Sequence, residues 1–226
     1  MNTLTIENGK IFYKDNERII LDVPSVSIST GINFIIGDNG TGKSTFLKSL
    51  ANHFPEIGFT GNITLNNNSF NKNIVGLVNQ NPIKSISGEL TFLENLLFSK
   101  FERTDFLKLN TLGNSKAVDE ISKFLDFFVI KETVDKLLFT QANKLSAGQQ
   151  QLLAILMRLI RFKEVLLLDE ATANLDVINT KIIIGILLEV VKKGTIVLFA
   201  THQLSLLETP NCKVYNTNTG NIVEHK

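Results

Sequence analysis

The sequence predicts an α/β fold: a parallel sheet with flanking helices, an antiparallel β layer ahead of it, and a mainly helical segment inserted into it. Three observations carry this expectation. The apolar run Phe34-Ile35-Ile36 leads straight into a glycine-rich stretch, Gly37 to Thr45, and then into a helical pattern from Phe46 to Ala51, the order strand, loop, helix. From Val165 onward the chain alternates buried strands with helices. Between these parts, from Leu90 to Phe101 and from Lys116 to Phe128, apolar residues recur at helical spacing among lysines and acids.

Taken in order, Thr3 to Tyr13 and Arg18 to Ser29 show alternating apolar patterns joined by the polar turn Lys14 to Glu17, which reads as an antiparallel pair. Ile63 to Leu65 and Ile74 to Val78 are expected to extend the same layer, with Gly58 and Gly61 between the pieces and Asn66-Asn67-Asn68 as a turn. The loop Gly37-Asp38-Asn39-Gly40-Thr41-Gly42-Lys43-Ser44-Thr45 has the residues a phosphate cradle needs. Its glycines free successive N–H groups to curl around phosphate oxygens, and the following helix points its positive end at them. Lys43 supplies a point charge for the β- and γ-phosphates, Ser44 a ligand for Mg²⁺ and Thr45 a further phosphate contact. Asn39, Gly40, Thr41, Gly42, Lys43, Ser44 and Thr45 are thus the expected nucleotide-binding set, with ATP and Mg²⁺ as the ligands.

Val165-Leu166-Leu167-Leu168 reads as a buried strand that ends on two acids, Asp169 and Glu170, at the edge where α/β sheets present ligands. Asp169 is placed to hold Mg²⁺ through water, and Glu170, one residue further, to polarise an attacking water. The plain alternative is an acidic strand end solvated in a loop. A helix from about Asn179 to Lys193 and a strand from Thr195 to Ala200 complete the core.

Composition narrows the class. The chain has 226 residues, 43% hydrophobic and 20% charged, which suits one compact unit or a core with an inserted subdomain. A net charge of +1 gives no broad basic field, so nucleic acid is not an expected partner. Cys212 is the single cysteine, which excludes an intrachain disulfide and suits a reducing cytosol. The longest apolar stretches fall short of the roughly 20 residues that span a bilayer, and the start lacks the features of a secretory signal.

Beside the phosphate loop stands Leu145-Ser146-Ala147-Gly148-Gln149, and with it the chain resembles the nucleotide-binding subunits of ABC transporters, of a small bacterial type, over nearly its whole length. The resemblance implies a P-loop NTPase (RecA-like) core with an N-terminal antiparallel β layer and an inserted helical subdomain. The expected division is a core of 1–82 and 152–226 and a signature subdomain of 83–151. In that family the signature of one subunit closes on ATP held by the other, so Ser146, Gly148 and Gln149 would act in trans; taken alone, Ser146 reads as an ordinary helix N-cap. Ala147 stands where the motif commonly has a first glycine. Val78-Asn79-Gln80-Asn81-Pro82 resembles the family's Q-loop, with Gln80 joining the Mg²⁺ and water shell. Ala173-Asn174-Leu175-Asp176 resembles the D-loop, where Asp176 would link the two subunits and could also cap a helix. His202 resembles the switch histidine that reaches the γ-phosphate and orients Glu170. Tyr13 stands where the family stacks an aromatic ring on adenine, with Phe12 the alternative if the register slips by one.

The implied function is that of an ATPase subunit working as a head-to-tail dimer, with itself or with a related ATP-binding subunit. It would serve separate integral membrane permease subunits from the cytoplasmic face of the cell membrane, with export a candidate direction. Phe92, Leu93, Leu96 and Leu97 are candidates to line the groove that receives a permease helix, or else to pack the subdomain's own core. The end of the chain soon after His202 reads as a minimal subunit. A soluble ATPase of the same family, serving assembly or repair without a permease, is the alternative; a small-molecule kinase would leave Leu145 to Gln149 unexplained.

Overall fold

In the computed structural model the described residues are 1–51, 54–100, 115–128, 130, 134–161, 163–173 and 175–225. They divide into two compact units: residues 1–80, 163–173 and 190–226, and residues 81–162 and 174–189.

The first unit holds two sheets. β1 (Thr3–Tyr13) and β2 (Ile19–Ser29) form the expected antiparallel pair, with Leu4 opposite Ile28 and Ile11 opposite Leu21. β4 (Ile57–Leu65) pairs with the other edge of β1, and the short β5 (Asn68–Ser69) follows, giving the order β2-β1-β4-β5. The second sheet has the order β10-β9-β3-β8-β7-β6. Its parallel strands are β3 (Gly31–Ile36), β6 (Val75–Val78), β7 (Val165–Asp169), β8 (Ile196–Ala200) and β9 (Lys213–Asn216). β10 (Val223–His225) adds an antiparallel edge beside β9.

Every residue of β7 and β8 is buried, as expected of strands covered on both faces. Helix α1 (Lys43–Leu50) buries Phe46, Leu47 and Leu50 in one apolar cluster with Leu4, Ile6 and Leu65 of the antiparallel layer and Ile35, Leu167 and Leu198 of the parallel sheet. One helix thereby ties both sheets together and carries the glycine-rich loop at its start.

Two expectations are corrected here. Ile74 to Val78 does not extend the antiparallel layer: β6 pairs in parallel with β7, Val75 opposite Val165 and Val78 opposite Leu168. An apolar run of this length has no feature of its own that distinguishes the two sheets. Gly58 and Gly61 lie inside β4 rather than between strands. The final hairpin of β9 and β10 was not anticipated.

The second unit is mainly helical. Helix α2 (Phe92–Lys100) packs against α3 (Ser115–Phe127) and α4 (Ala147–Leu159). The expected end of α2 at Phe101 lies outside the described residues. Phe92, Leu93, Leu96 and Leu97 are 0%, 7%, 0% and 8% exposed, so they form this unit's core and not an open groove. The exposed apolar side chains of that stretch are Ile83 and Phe98. The unit also takes in residues 152–162 and 174–189, which the sequence division placed with the core. α4 runs unbroken through the expected boundary at 151/152, and its buried Leu152, Leu153, Ile155 and Leu156 continue the same face. Residues 177–189 belong to α5 (Val177–Lys192).

Asn33 lies within β3 at 1% exposure, and its Nδ2 donates to the carbonyls of Ser29, Gly31 and Val197 at 3.1, 3.0 and 3.1 Å. These bonds lock the turn before β3 to β8. Asn33→Ala strands buried acceptors, and urea denaturation is expected to register a loss of about 2 kcal/mol; a loss below about 0.5 kcal/mol would contradict this role.

Candidate functional site

Within the first unit a cleft of about 350 Å³ opens at the start of α1, lined by Asn39, Gly40, Gly42, Lys43, Ser44 and Thr45 of the loop. The β1–β2 hairpin adds Tyr13, Arg18, Ile19 and Ile20, and Glu170 completes the lining. α1 has no acidic residue in its own first turn, so the helix start carries its positive end toward the cleft. Lys43 is 6% exposed, and its Nζ donates to the carbonyls of Gly37 at 2.7 Å and Asp38 at 2.9 Å. The ammonium is thereby held inside the loop's curve. Thr41 differs from its neighbours: its hydroxyl donates to the Asp38 carbonyl at 2.9 Å and belongs to the loop's own frame.

Ser44 and Asp169, 125 positions apart, meet directly, with Ser44 Oγ donating to Asp169 Oδ1 at 2.7 Å. Burial raises the Asp169 carboxyl above the usual carboxylate range. The Ser44 bond, Lys48 and Lys43 oppose that shift, and Glu170 adds to it. Two hard oxygens at one end of a cationic cradle fit Mg²⁺, which takes few protein ligands and completes its shell with phosphate and water.

Glu170 has φ +49°, a left-handed backbone uncommon for a residue with a side chain and costing on the order of 1–3 kcal/mol. Its N–H donates to the Ala200 carbonyl at 2.9 Å, which pins this conformation to the end of β8. The carboxylate is gripped from two strand ends. Gln80 Nε2 donates to Oε2 at 2.9 Å, and His202 Nδ1 lies 3.4 Å from Oε1. The segments after Glu170 and after His202 are braced nearby: Thr172 Oγ1 donates to Gln203 Oε1 at 2.8 Å, and Gln203 Nε2 donates back to the Thr172 carbonyl at 3.2 Å. The structure thus brings Ser44 to Asp169, and Gln80 and His202 to Glu170.

Of the two aromatic residues Phe12 and Tyr13, the one in the cleft lining is Tyr13. Tyr13 lines the cleft at 40% exposure, whereas the Phe12 ring lies over Gly58, where a Cβ would fall 2.3 Å from Phe12 Cε2. Arg18, Ile19 and Ile20 escaped the sequence reading. The signal was available in the short turn, which sets Ile19 opposite Phe12 and lets Tyr13 N–H donate to the Arg18 carbonyl at 3.2 Å.

Ser146, Gly148, Gln149 and Asp176 belong to the second unit. Ser146 caps α4 in a reciprocal box: its Oγ accepts from Gln149 N–H at 3.3 Å while Gln149 Oε1 accepts from Ser146 N–H at 2.9 Å. The cap uses a lone pair of Oγ and leaves the hydroxyl hydrogen for another acceptor. Gly148 is required by close approach, since a Cβ there would lie 2.6 Å from Asn179 Cγ. Asn179 is itself fastened to Asp176, whose Oδ1 accepts from Asn179 N–H at 2.7 Å and Oδ2 from Asn179 Nδ2 at 2.8 Å. Asn174, between these motifs, lies outside the described residues.

A phosphate loop at a helix start, paired with an Asp-Glu strand end and a separate capped glycine signature, defines an ATP-binding cassette. The sequence profile of the ABC transporter family matches residues 21–173, and the chain belongs to that family. An uncharacterised ABC transporter ATP-binding protein of Methanocaldococcus jannaschii is 27% identical over 91% of this chain and 70% of its own length. The phosphate import ATP-binding protein PstB of Mycoplasma pneumoniae is 31% identical over 90% of this chain and 63% of its own length. The multidrug resistance-like ATP-binding protein MdlB of Buchnera aphidicola is 33% identical over 89% of this chain and 34% of its own length. Among solved structures, a nucleotide-free ATP-binding cassette from an ABC transporter superposes with a TM-score of 0.78 at 24% identity, over 100% of this chain and 92% of the other.

Tyr13→Ala is expected to weaken ATP binding about tenfold, the loss of one base-stacking contact, with little change in folding. Phe12→Ala should do the reverse, costing about 2 kcal/mol of stability while sparing affinity in the folded protein. Nucleotide titration and urea melts on both variants separate the roles, and an affinity loss confined to Phe12→Ala would reverse them.

Proposed function

We propose that this chain hydrolyses ATP as one half of a head-to-tail pair and passes the resulting motion to separate membrane permease subunits. The observation that carries the reading is the Glu170 carboxylate, lining a cationic phosphate cradle and held at both oxygens by Gln80 and His202. The loop N–H groups, Lys43 and the start of α1 would bind the triphosphate, with Tyr13 against the base. Ser44 and Asp169, with Gln80, would hold Mg²⁺, which supplies charge neutralisation for the phosphate oxygens when bound. Glu170 accepts a proton from water as the water oxygen bonds to the γ-phosphorus and the bond to the β,γ-bridging oxygen breaks, leaving ADP and phosphate. His202 orients the carboxylate, and its second nitrogen serves the γ-phosphate.

The signature residues Ser146, Gly148 and Gln149 would complete the site of a second subunit, and Asp176 would link the two. The free hydroxyl hydrogen of Ser146 and the start of α4 suit an incoming phosphate. Among the described residues no helix is long and apolar enough to cross a membrane, so in this reading the membrane path belongs to other subunits. Exposed Ile83, three residues past Gln80, is a docking point for a permease helix at the cytoplasmic face. Relatives named for phosphate import and for multidrug resistance each match about nine-tenths of this chain, which supports an engine indifferent to cargo.

Glu170→Gln is expected to keep ATP binding and lower turnover by about 10²- to 10⁴-fold, trapping a closed pair visible by size-exclusion chromatography. Wild-type turnover by this variant would remove Glu170 from the role of base. Crosslinking of the trapped form in cells should recover an integral membrane protein; recovery free of any membrane partner would shift the reading to a soluble ATPase of the same family.

Lys43→Ala and Ser146→Arg are each expected to abolish activity, because every site needs one residue from each chain. Mixing the two proteins makes heterodimers with one doubly damaged site and one intact site, so part of the ATPase activity should return. A mixture that stays inactive, with heterodimers demonstrated, would contradict independent sites shared between chains.

A further inference from the structure

The phosphate loop is held at its start by a turn that carries none of the nucleotide-binding motifs. β9 ends at Asn216, paired with Ile36, and the chain then turns through Thr217, Asn218, Thr219 and Gly220 before β10. Thr217 is fully buried. Its N–H donates to the Ile36 carbonyl at 3.0 Å, and its Oγ1 lies 2.7 Å from Thr41 Oγ1. The Thr217 hydroxyl also reaches the Ile36 carbonyl at 3.1 Å, as the Thr41 hydroxyl reaches the Asp38 carbonyl at 2.9 Å, so the two hydroxyls share their hydrogens with each other and with these two carbonyls. A hydroxyl network therefore joins the end of β3 at Ile36, through Thr217 and Thr41, to Asp38. Asn218 holds the other side of Asp38, its Oδ1 accepting from Asp38 N–H at 2.7 Å.

The fit is close. Gly37 has φ +153°, and a Cβ there would fall 2.3 Å from Thr217 Oγ1 and 2.8 Å from Asn218 Oδ1. The turn also reaches β2, because the Gly220 carbonyl accepts from Asp22 N–H at 2.8 Å. It thus ties the loop to the strand that supplies Ile19 and Ile20 to the cleft.

We propose that Thr217 and Asn218 are positioning residues for nucleotide binding, a clip that fixes Asp38 and Thr41 so that the N–H groups between them and Lys43 face the phosphates in advance. This rests on the ATP-binding reading above. Between Gly37 and Gly42 the loop has little else to hold it: Thr41 N–H reaches the Asp38 carbonyl at only 3.4 Å, and Asp38 also supplies one of the two carbonyls that retain Lys43. A loop ordered beforehand loses less freedom on binding. Loosening it raises KM and leaves kcat unchanged, since the clip touches none of Glu170, Gln80 or His202.

The test titrates the purified full chain with a fluorescent ATP analogue. Thr217→Val and Asn218→Ala are each expected to raise Kd about fivefold, as for one lost hydrogen bond, and Thr217→Ser to stay within about twofold of wild type. Asn218 is exposed, so its variant should keep the nucleotide-free Tm within about 2 °C, separating lost affinity from lost fold. Steady-state assays on the complex should place the change in KM. Wild-type affinity in both variants, or equal loss in Thr217→Ser and Thr217→Val, overturns the clip. Failure of the wild-type chain to bind the analogue removes the ATP reading first, and the clip with it.

Discussion

The candidate catalytic groups of the first unit hang from the carboxyl ends of strands of one sheet, and those ends are level because the strands pair in parallel register. Ile35 lies opposite Ala200, Ala200 opposite Asp169, and Leu168 opposite Val78. One or two residues beyond these pairs come Gly37, Glu170, His202 and Gln80. A slip of one residue in any strand would turn its terminal side chain toward the other face of the sheet. The complete burial of β7 and β8 opposes such a slip by coupling register to the apolar core.

The same arrangement sets the electrostatics. Asp169 is pushed toward its neutral form by burial, and its charge is favoured again by the Ser44 hydroxyl and by Lys48 and Lys43, all carried by α1. Packing α1 between the two sheets therefore does more than fill space. It brings the start of a helix, a lysine and a serine to a buried carboxylate that needs them.

The phosphate loop, the Asp169-Glu170 pair and the signature were legible in the sequence because each is a local pattern whose chemistry follows from adjacent residues. The parallel core and the β1–β2 pair followed from periodicity. What escaped depends on contacts between distant segments. The four residues Val75 to Val78 carry no mark of the sheet they join, and Phe92 to Leu97 would read alike in a core and in an open groove. The left-handed Glu170 is bonded through its N–H to Ala200, 30 positions on, and the grip of Asn218 on Asp38 spans 180. Composition near either residue gives no hint of the partner.

The second unit shows the converse, a site whose parts are used for structure before any ligand is considered. Ser146 and Gln149 satisfy each other's backbone groups, so the start of α4 has a defined shape of its own. Gly148 leaves room for Asn179, and Asn179 is fixed by both carboxylate oxygens of Asp176. Asn179 therefore stands between Asp176 and Gly148, fastened to the first by two hydrogen bonds and leaving no room for a side chain at the second.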